Sequence, residues 1–125
     1  MAFISNKITL FILFVVSIMF LSVDESVSNE TPEVGQASYY ANHFHGRKTS
    51  SGEYFNQNLL TAAHKTLKFG TIVKVTNLSN DSIVYLKIND RLGRSSHRAI
   101  DVTTSAAKKL NFLRKGVAKV TIEKI

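Results

Sequence analysis

The sequence contains no cysteine and no tryptophan, and its 125 residues include one proline, Pro32. Without cysteine there is no disulfide framework, no Cys-ligated zinc site, no thiol nucleophile and no lipid-modified cysteine. Without tryptophan, any aromatic stacking platform depends on Tyr39, Tyr40, Tyr54 or the phenylalanines. Acids are scarce too. Nine Asp and Glu face sixteen Lys and Arg, a formal charge of +7, which suits an anionic partner without naming one. With 44% hydrophobic and 20% charged residues, the chain is neither a disordered polyelectrolyte nor a polytopic membrane protein. Its length holds one small domain.

The longest apolar run, Ile8 to Val23, has thirteen apolar residues in sixteen, with Lys7 before it and Asp24 and Glu25 after it. As a helix it would span ~24 Å, short of a bilayer core of ~30 Å. A positive start, a short apolar stretch and Ser26-Val27-Ser28 predict a secretory signal over residues 1–28; the alternative is an uncleaved membrane anchor. Either reading exports the remainder of the chain. Residues 29–34 hold Pro32, Glu30 and Glu33 and read as a flexible leader, so the domain is expected over 35–125.

Strand signals dominate that domain. Gln36 to Tyr40 is a short strand, and Thr71 to Asn77 is rich in β-branched residues. Ser79-Asn80-Asp81-Ser82 is turn chemistry before a second strand, Ile83 to Asn89, with Val84, Leu86 and Ile88 on one face. Val117 to Ile122 alternates again. Two short helices are predicted, Leu59 to His64 and Ser105 to Leu110. Thr103 or Thr104 would cap the second, with Ala106, Ala107 and Leu110 facing inward. Short strands with brief helical connections predict a mainly β fold, a small closed or partly closed barrel.

Seven acids remain after residue 28, and elimination narrows them. Glu30 and Glu33 fall in the leader, Asp81 in a hairpin turn and Glu123 at the C-terminus. Glu53, Asp90 and Asp101 are left to work in a cleft, although Asp90 and Asp101 also suit strand ends, where Asp caps backbone N–H groups. Glu53 follows the small-residue loop Thr49-Ser50-Ser51-Gly52 and precedes Tyr54 and Phe55. Aromatic surroundings would raise its pKa, as a general acid requires. His64 would supply a second proton-transfer group or orient the first; alternatively it is a helix-end histidine bonded to backbone. His43, His45 and His64 lack a carboxylate at a metal-site spacing. Ser50 and Ser51 lack a nucleophile-elbow motif. The basic residues are scattered through an exported chain, which argues against nucleic acid.

The same segments resemble a known family. Gly-Gln-Ala-Ser-Tyr-Tyr (35–40), Phe-His-Gly-Arg-Lys-Thr-Ser-Ser-Gly-Glu (44–53) and Leu-Thr-Ala-Ala-His-Lys-Thr-Leu-Lys-Phe-Gly-Thr (60–71) resemble rare lipoprotein A proteins. So do Val-Lys-Val-Thr-Asn-Leu (73–78), Ile-Asn-Asp-Arg (88–91) and Ala-Ile-Asp-Val-Thr-Thr-Ser-Ala-Ala (99–107). The resemblance implies a six-stranded double-psi β-barrel with short connecting helices and a polysaccharide-binding groove. It implies an endolytic peptidoglycan lytic transglycosylase of the periplasm or cell envelope that prefers glycan strands stripped of peptide and needs no metal or cofactor; a monomer is the default expectation. Carried over by motif, Glu53, His64 and Asp90 would be catalytic. Tyr40, His45, Arg47, Thr49, Asn56, Arg91 and Asp101 would bind substrate.

Departures from the pattern leave rivals open. Asn56 stands where family members usually carry Asp, and Asn-Asp-Arg-Leu-Gly replaces the usual Asn-Asp-Arg-Gly-Pro. Many relatives also carry a lipobox cysteine and a C-terminal domain that binds denuded glycan; this sequence matches neither, which predicts weaker wall targeting. One rival is a non-catalytic, expansin-like module that binds cell-wall polysaccharide. Another is a secreted hydrolase of a different β-1,4 glycan.

Overall fold

A computed structural model of the chain describes residues 30–125. The expected signal segment, residues 1–28, lies outside the described residues. Strands β1 (Glu33–Tyr39), β2 (Thr61–His64), β3 (Ile72–Asn77), β4 (Ile83–Arg91), β5 (Ile100–Val102) and β6 (Val117–Lys124) close into a barrel in the order β1-β5-β2-β4-β3-β6. A 3-10 turn, Asn42–Phe44, follows β1, and helix α1 (Thr104–Lys109) follows β5. β1 pairs with β5 and β2 with β4 in parallel; the other four pairings are antiparallel. Exchanging β1, β2 and β3 for β4, β5 and β6 leaves this pairing pattern unchanged, a topological twofold. Closure leaves no sheet edge to aggregate.

Alternation builds the core as the sequence suggests. Val84, Leu86 and Ile88 of β4 point inward with Val73 and Val75 of β3 and Ala118, Val120 and Ile122 of β6. Ile100 and Val102 of β5 join them, and Ala106, Ala107 and Leu110 pack α1 and its C-terminal end against the same cluster. The Thr103 hydroxyl caps α1 by accepting from the Ala106 N–H at 3.4 Å. Gly35 is a spatial necessity. A Cβ there would lie 2.5 Å from the Ala99 Cβ.

Two expectations change. Leu59 to His64 is not a helix: Thr61–His64 is strand β2, buried throughout and flanked by β4 and β5. Adjacent alanines favour helix locally, but a slot between two strands leaves the β2 backbone no partners except theirs. The other change concerns β1. It starts at Glu33 rather than Gln36, because Glu33, Val34 and Gly35 pair with Ile122, Thr121 and Val120 of the lengthened β6. Glu33, counted with the leader, is therefore a barrel residue.

One irregularity positions the site. Ala62 pairs with Ile88, but Ala63 pairs with Asp90, so β4 carries an extra residue, Asn89, against β2. A bulge of this kind turns two successive side chains towards one face.

Candidate active site

The loop from Thr49 to Glu53 is closed on itself. Thr49 N–H donates to Glu53 O at 2.8 Å, and Gly52 N–H donates to Thr49 O at 3.0 Å. Gly52 takes a φ of 89°, in the left-handed region that glycine tolerates. Buried Thr49 fixes the loop from inside, its hydroxyl bonding to the Ser51 hydroxyl and to Glu53 O. Two further contacts press the loop onto the bulge: Ser51 N–H donates to Asn89 O at 3.3 Å, and Ser50 N–H donates to Asp90 Oδ1 at 2.9 Å.

This docking brings two carboxylates to one face. Glu53 is exposed, its Oε1 accepting from Lys87 Nζ at 2.9 Å and its Oε2 from Asn89 Nδ2 at 3.2 Å. The Lys87 and Asn89 hydrogen bonds hold the Glu53 carboxyl below the ordinary glutamate range. The expected upward shift is therefore reversed. Tyr54 is largely exposed and Phe55 packs under Tyr40, so the aromatics do not enclose the acid.

Asp90 is half-buried. Burial opposes its charge, but hydrogen bonds from the Tyr40 hydroxyl and the Ser50 and Arg91 N–H groups outweigh burial and hold its carboxyl below the usual aspartate range. Tyr40 donates to Oδ2 at 2.6 Å. Burial first, then that hydrogen bond, pushes the Tyr40 hydroxyl far above the ordinary tyrosine value, which keeps it a donor. Its ring packs on Phe55 at 4.4 Å and Phe44 at 6.1 Å.

Across the sheet, Ser38, Asp101, Ala63 and Asp90 stand in one row of register partners. Asp101 is held at that row by the Ser38 hydroxyl and by Arg98, whose Nε and Nη2 donate at 2.7 and 3.0 Å. Of the residues singled out in the sequence, Glu53, Asp90, Tyr40 and Thr49 thus converge, with Asp101 further along the row.

The others are held by contacts of their own. His64 lies beyond Ala63 on β2, and strand alternation turns it from the Asp90 face. Its Nδ1 accepts from the Thr66 and Leu67 N–H groups, each at 3.1 Å, which places its proton on Nε2, 2.7 Å from Glu33 Oε2. Arg91 donates to the carbonyls of His64 and Leu67 and lies 4.3 Å from the Phe69 ring centroid, so it braces the β2–β3 loop. His45 Nδ1 accepts from Gln57 N–H, and Asn56 Oδ1 from Asn58 N–H. Arg47 stands over Phe44 at 5.8 Å. Among the described residues, no group of three or more His, Cys, Asp or Glu is arranged to hold a metal ion.

Sequence reasoning missed Lys87 and Asn89 as partners of Glu53, and it weighed Ser50 as a nucleophile rather than as a backbone donor to Asp90. Alternation could have placed Lys87 and Asn89 on the face opposite Leu86 and Ile88. No local signal joins Glu33 to His64, thirty-one positions apart.

A family model described as lytic transglycolase matches residues 32–122. The chain belongs to the lytic transglycolase family. It is 53% identical over 90 residues to a probable endolytic peptidoglycan transglycosylase RlpA of Treponema pallidum, covering 72% of this chain and 28% of that protein. It is 48% identical over 96 residues to the endolytic peptidoglycan transglycosylase RlpA of a serogroup A strain of Neisseria meningitidis, covering 77% and 40%. This chain therefore spans well under half of either relative. Among solved structures, the Streptomyces papain inhibitor superposes with a TM-score of 0.62 at 18% identity, over 80% of this chain and 99% of that one. The apo expansin of Clavibacter michiganensis gives 0.61 at 13% identity, over 76% and 50%. The lytic transglycolase domain of this chain is thus a six-stranded double-psi β-barrel.

Proposed function

We propose that this chain is an endolytic lytic transglycosylase of peptidoglycan, exported to the cell envelope and working there as a monomer. It would cleave the β-1,4 bond between N-acetylmuramic acid and N-acetylglucosamine. The observation that carries the reading is Glu53, an accessible carboxyl bonded to Asn89 of the β4 bulge, on a loop whose Ser50 N–H is bonded to the adjacent Asp90. Family membership and two RlpA relatives near half identity support the same chemistry.

In its protonated form Glu53 gives its proton to the glycosidic oxygen as the muramic C1–O bond breaks. The C6 hydroxyl of the same ring attacks C1, and the Glu53 carboxylate takes the proton that this hydroxyl loses. The acid is regenerated, and the product is a 1,6-anhydro end. Because the nucleophile belongs to the substrate, no second carboxylate has to activate water, unlike inverting hydrolysis. Asn56 in place of an acid is compatible with that scheme. Asp90, fixed by Tyr40 and Ser50, supplies a stationary negative charge for the oxocarbenium-like transition state. His64 holds the β2–β3 loop through the Thr66 and Leu67 N–H groups.

A non-catalytic glycan-binding barrel is the second reading, favoured by the ion pair that keeps Glu53 charged in the free protein. Replacing Glu53 separates the two. Glu53→Gln in the full chain is expected to lower the rate of anhydro-end formation at least 100-fold, the upper part of the general acid–base range being ~10⁴. Pull-down on glycan strands should be unchanged. Equal activity in both proteins would remove Glu53 from the chemistry.

A further inference from the structure

Lys87 is the cation that the fold places on the acid. It projects from β4 two residues before Asn89, and its Nζ lies 2.9 Å from Glu53 Oε1. Neighbouring basic side chains are otherwise engaged. Arg91 is tied to two carbonyls, Arg98 to Asp101, and Lys48 stands 5.7 Å from the Tyr54 ring centroid. Both partners of the Lys87–Glu53 pair are nearly half exposed, at 40% and 48%. An ion pair that open to water contributes little to stability, so another carboxylate can replace Glu53 as the partner of Lys87 at small cost.

The glycan has one such group. Its sugars are neutral apart from the lactyl carboxylate on O3 of muramic acid, carried by the same ring whose C1 bears the bond to be broken. Where a peptide stem is attached, that carboxylate is an amide and has no charge. We propose that Lys87 recognises the free lactyl carboxylate of muramic acid and gives up its ion pair with Glu53 when it does so. This rests on the transglycosylase reading.

The exchange resolves a conflict in the free protein. Glu53 must carry a proton to act as a general acid, yet Lys87 and Asn89 favour its ionised form. With Lys87 turned to the substrate, Glu53 keeps only the neutral amide of buried Asn89. The carboxyl stays in position and takes up a proton from solvent more readily. Binding of the correct sugar thereby produces the competent acid, a form of substrate selection by induced change.

The test uses the full chain, Lys87→Met and Lys87→Arg on two substrates, peptide-free glycan strands and the same strands with the lactyl carboxyl converted to its methylamide. The native protein is expected to form anhydro ends about tenfold faster from the free carboxylate, the scale of one charge-assisted hydrogen bond. Lys87→Met should lose that ratio, and Lys87→Arg should restore most of it. A Lys87→Met protein that keeps the native preference overturns the inference and leaves the transglycosylase reading standing. A native protein that forms anhydro ends from neither substrate overturns both.

Discussion

At the residue scale, His64 and Asp90 make separable contributions. His64 Nδ1 is the acceptor for the Thr66 and Leu67 N–H groups, and Nε2 meets Glu33 of β1, two strands away in the barrel. His64→Ala is expected to cost about 2 kcal/mol in urea unfolding, because a buried ring and two hydrogen bonds are lost. His64→Asn places an Oδ1 where Nδ1 stood and should recover most of that, with cleavage recovering in step. An Asn variant that is stable and inactive would instead make the imidazole a proton carrier. Asp90 is read by pH. Its folded pKa is depressed, so it contributes stability above the ordinary aspartate value of 3.8 and loses that contribution as pH falls through the folded value. The native protein should therefore lose more of its urea midpoint between pH 7 and pH 3 than Asp90→Asn does. Equal losses would place the acid sensitivity elsewhere. The sequence pointed to both residues by type and motif. It could not supply their partners, because Glu33, Tyr40 and Ser50 lie 31 to 50 positions away and meet them only once the barrel closes.

At the scale of elements, tertiary pairing decides what local preference leaves open. The β3–β4 hairpin was legible from alternation and turn chemistry, and α1 from its Thr103 cap and its buried alanines. β2 was not. Thr61 to His64 is short and rich in alanine, and its identity as a strand comes from β4 on one side and β5 on the other. The bulge at Asn89 was equally hidden, since it exists only as a mismatch between two strands. Close approach is the related constraint on β1. Gly35→Ala would drive a methyl into Ala99 and is expected to destabilise by about 1–3 kcal/mol. The double variant Gly35→Ala with Ala99→Gly should regain part of that loss, as measured by thermal or urea unfolding. No recovery would mean that the contact is not what requires glycine at this position.

At the scale of the whole molecule, a closed barrel provides the frame and one docked loop carries Glu53. The fold was legible because motif order and spacing over Gly35 to Ile125 matched a barrel family, whereas the electrostatics of the site were not. Tyr54 and Phe55 beside Glu53 suggested a carboxyl with a raised pKa, but adjacency in sequence did not produce enclosure in space: Lys87 and Asn89 reached the acid instead. The proposed chemistry is defined by the bond that is broken and the end that is left. Mass spectrometry of strands released from purified peptidoglycan by the full chain tests it most directly. Strands with 1,6-anhydro-muramic ends are the expected product. Reducing ends would contradict it by marking a hydrolase, and intact strands carrying bound protein would make the barrel a wall-binding module.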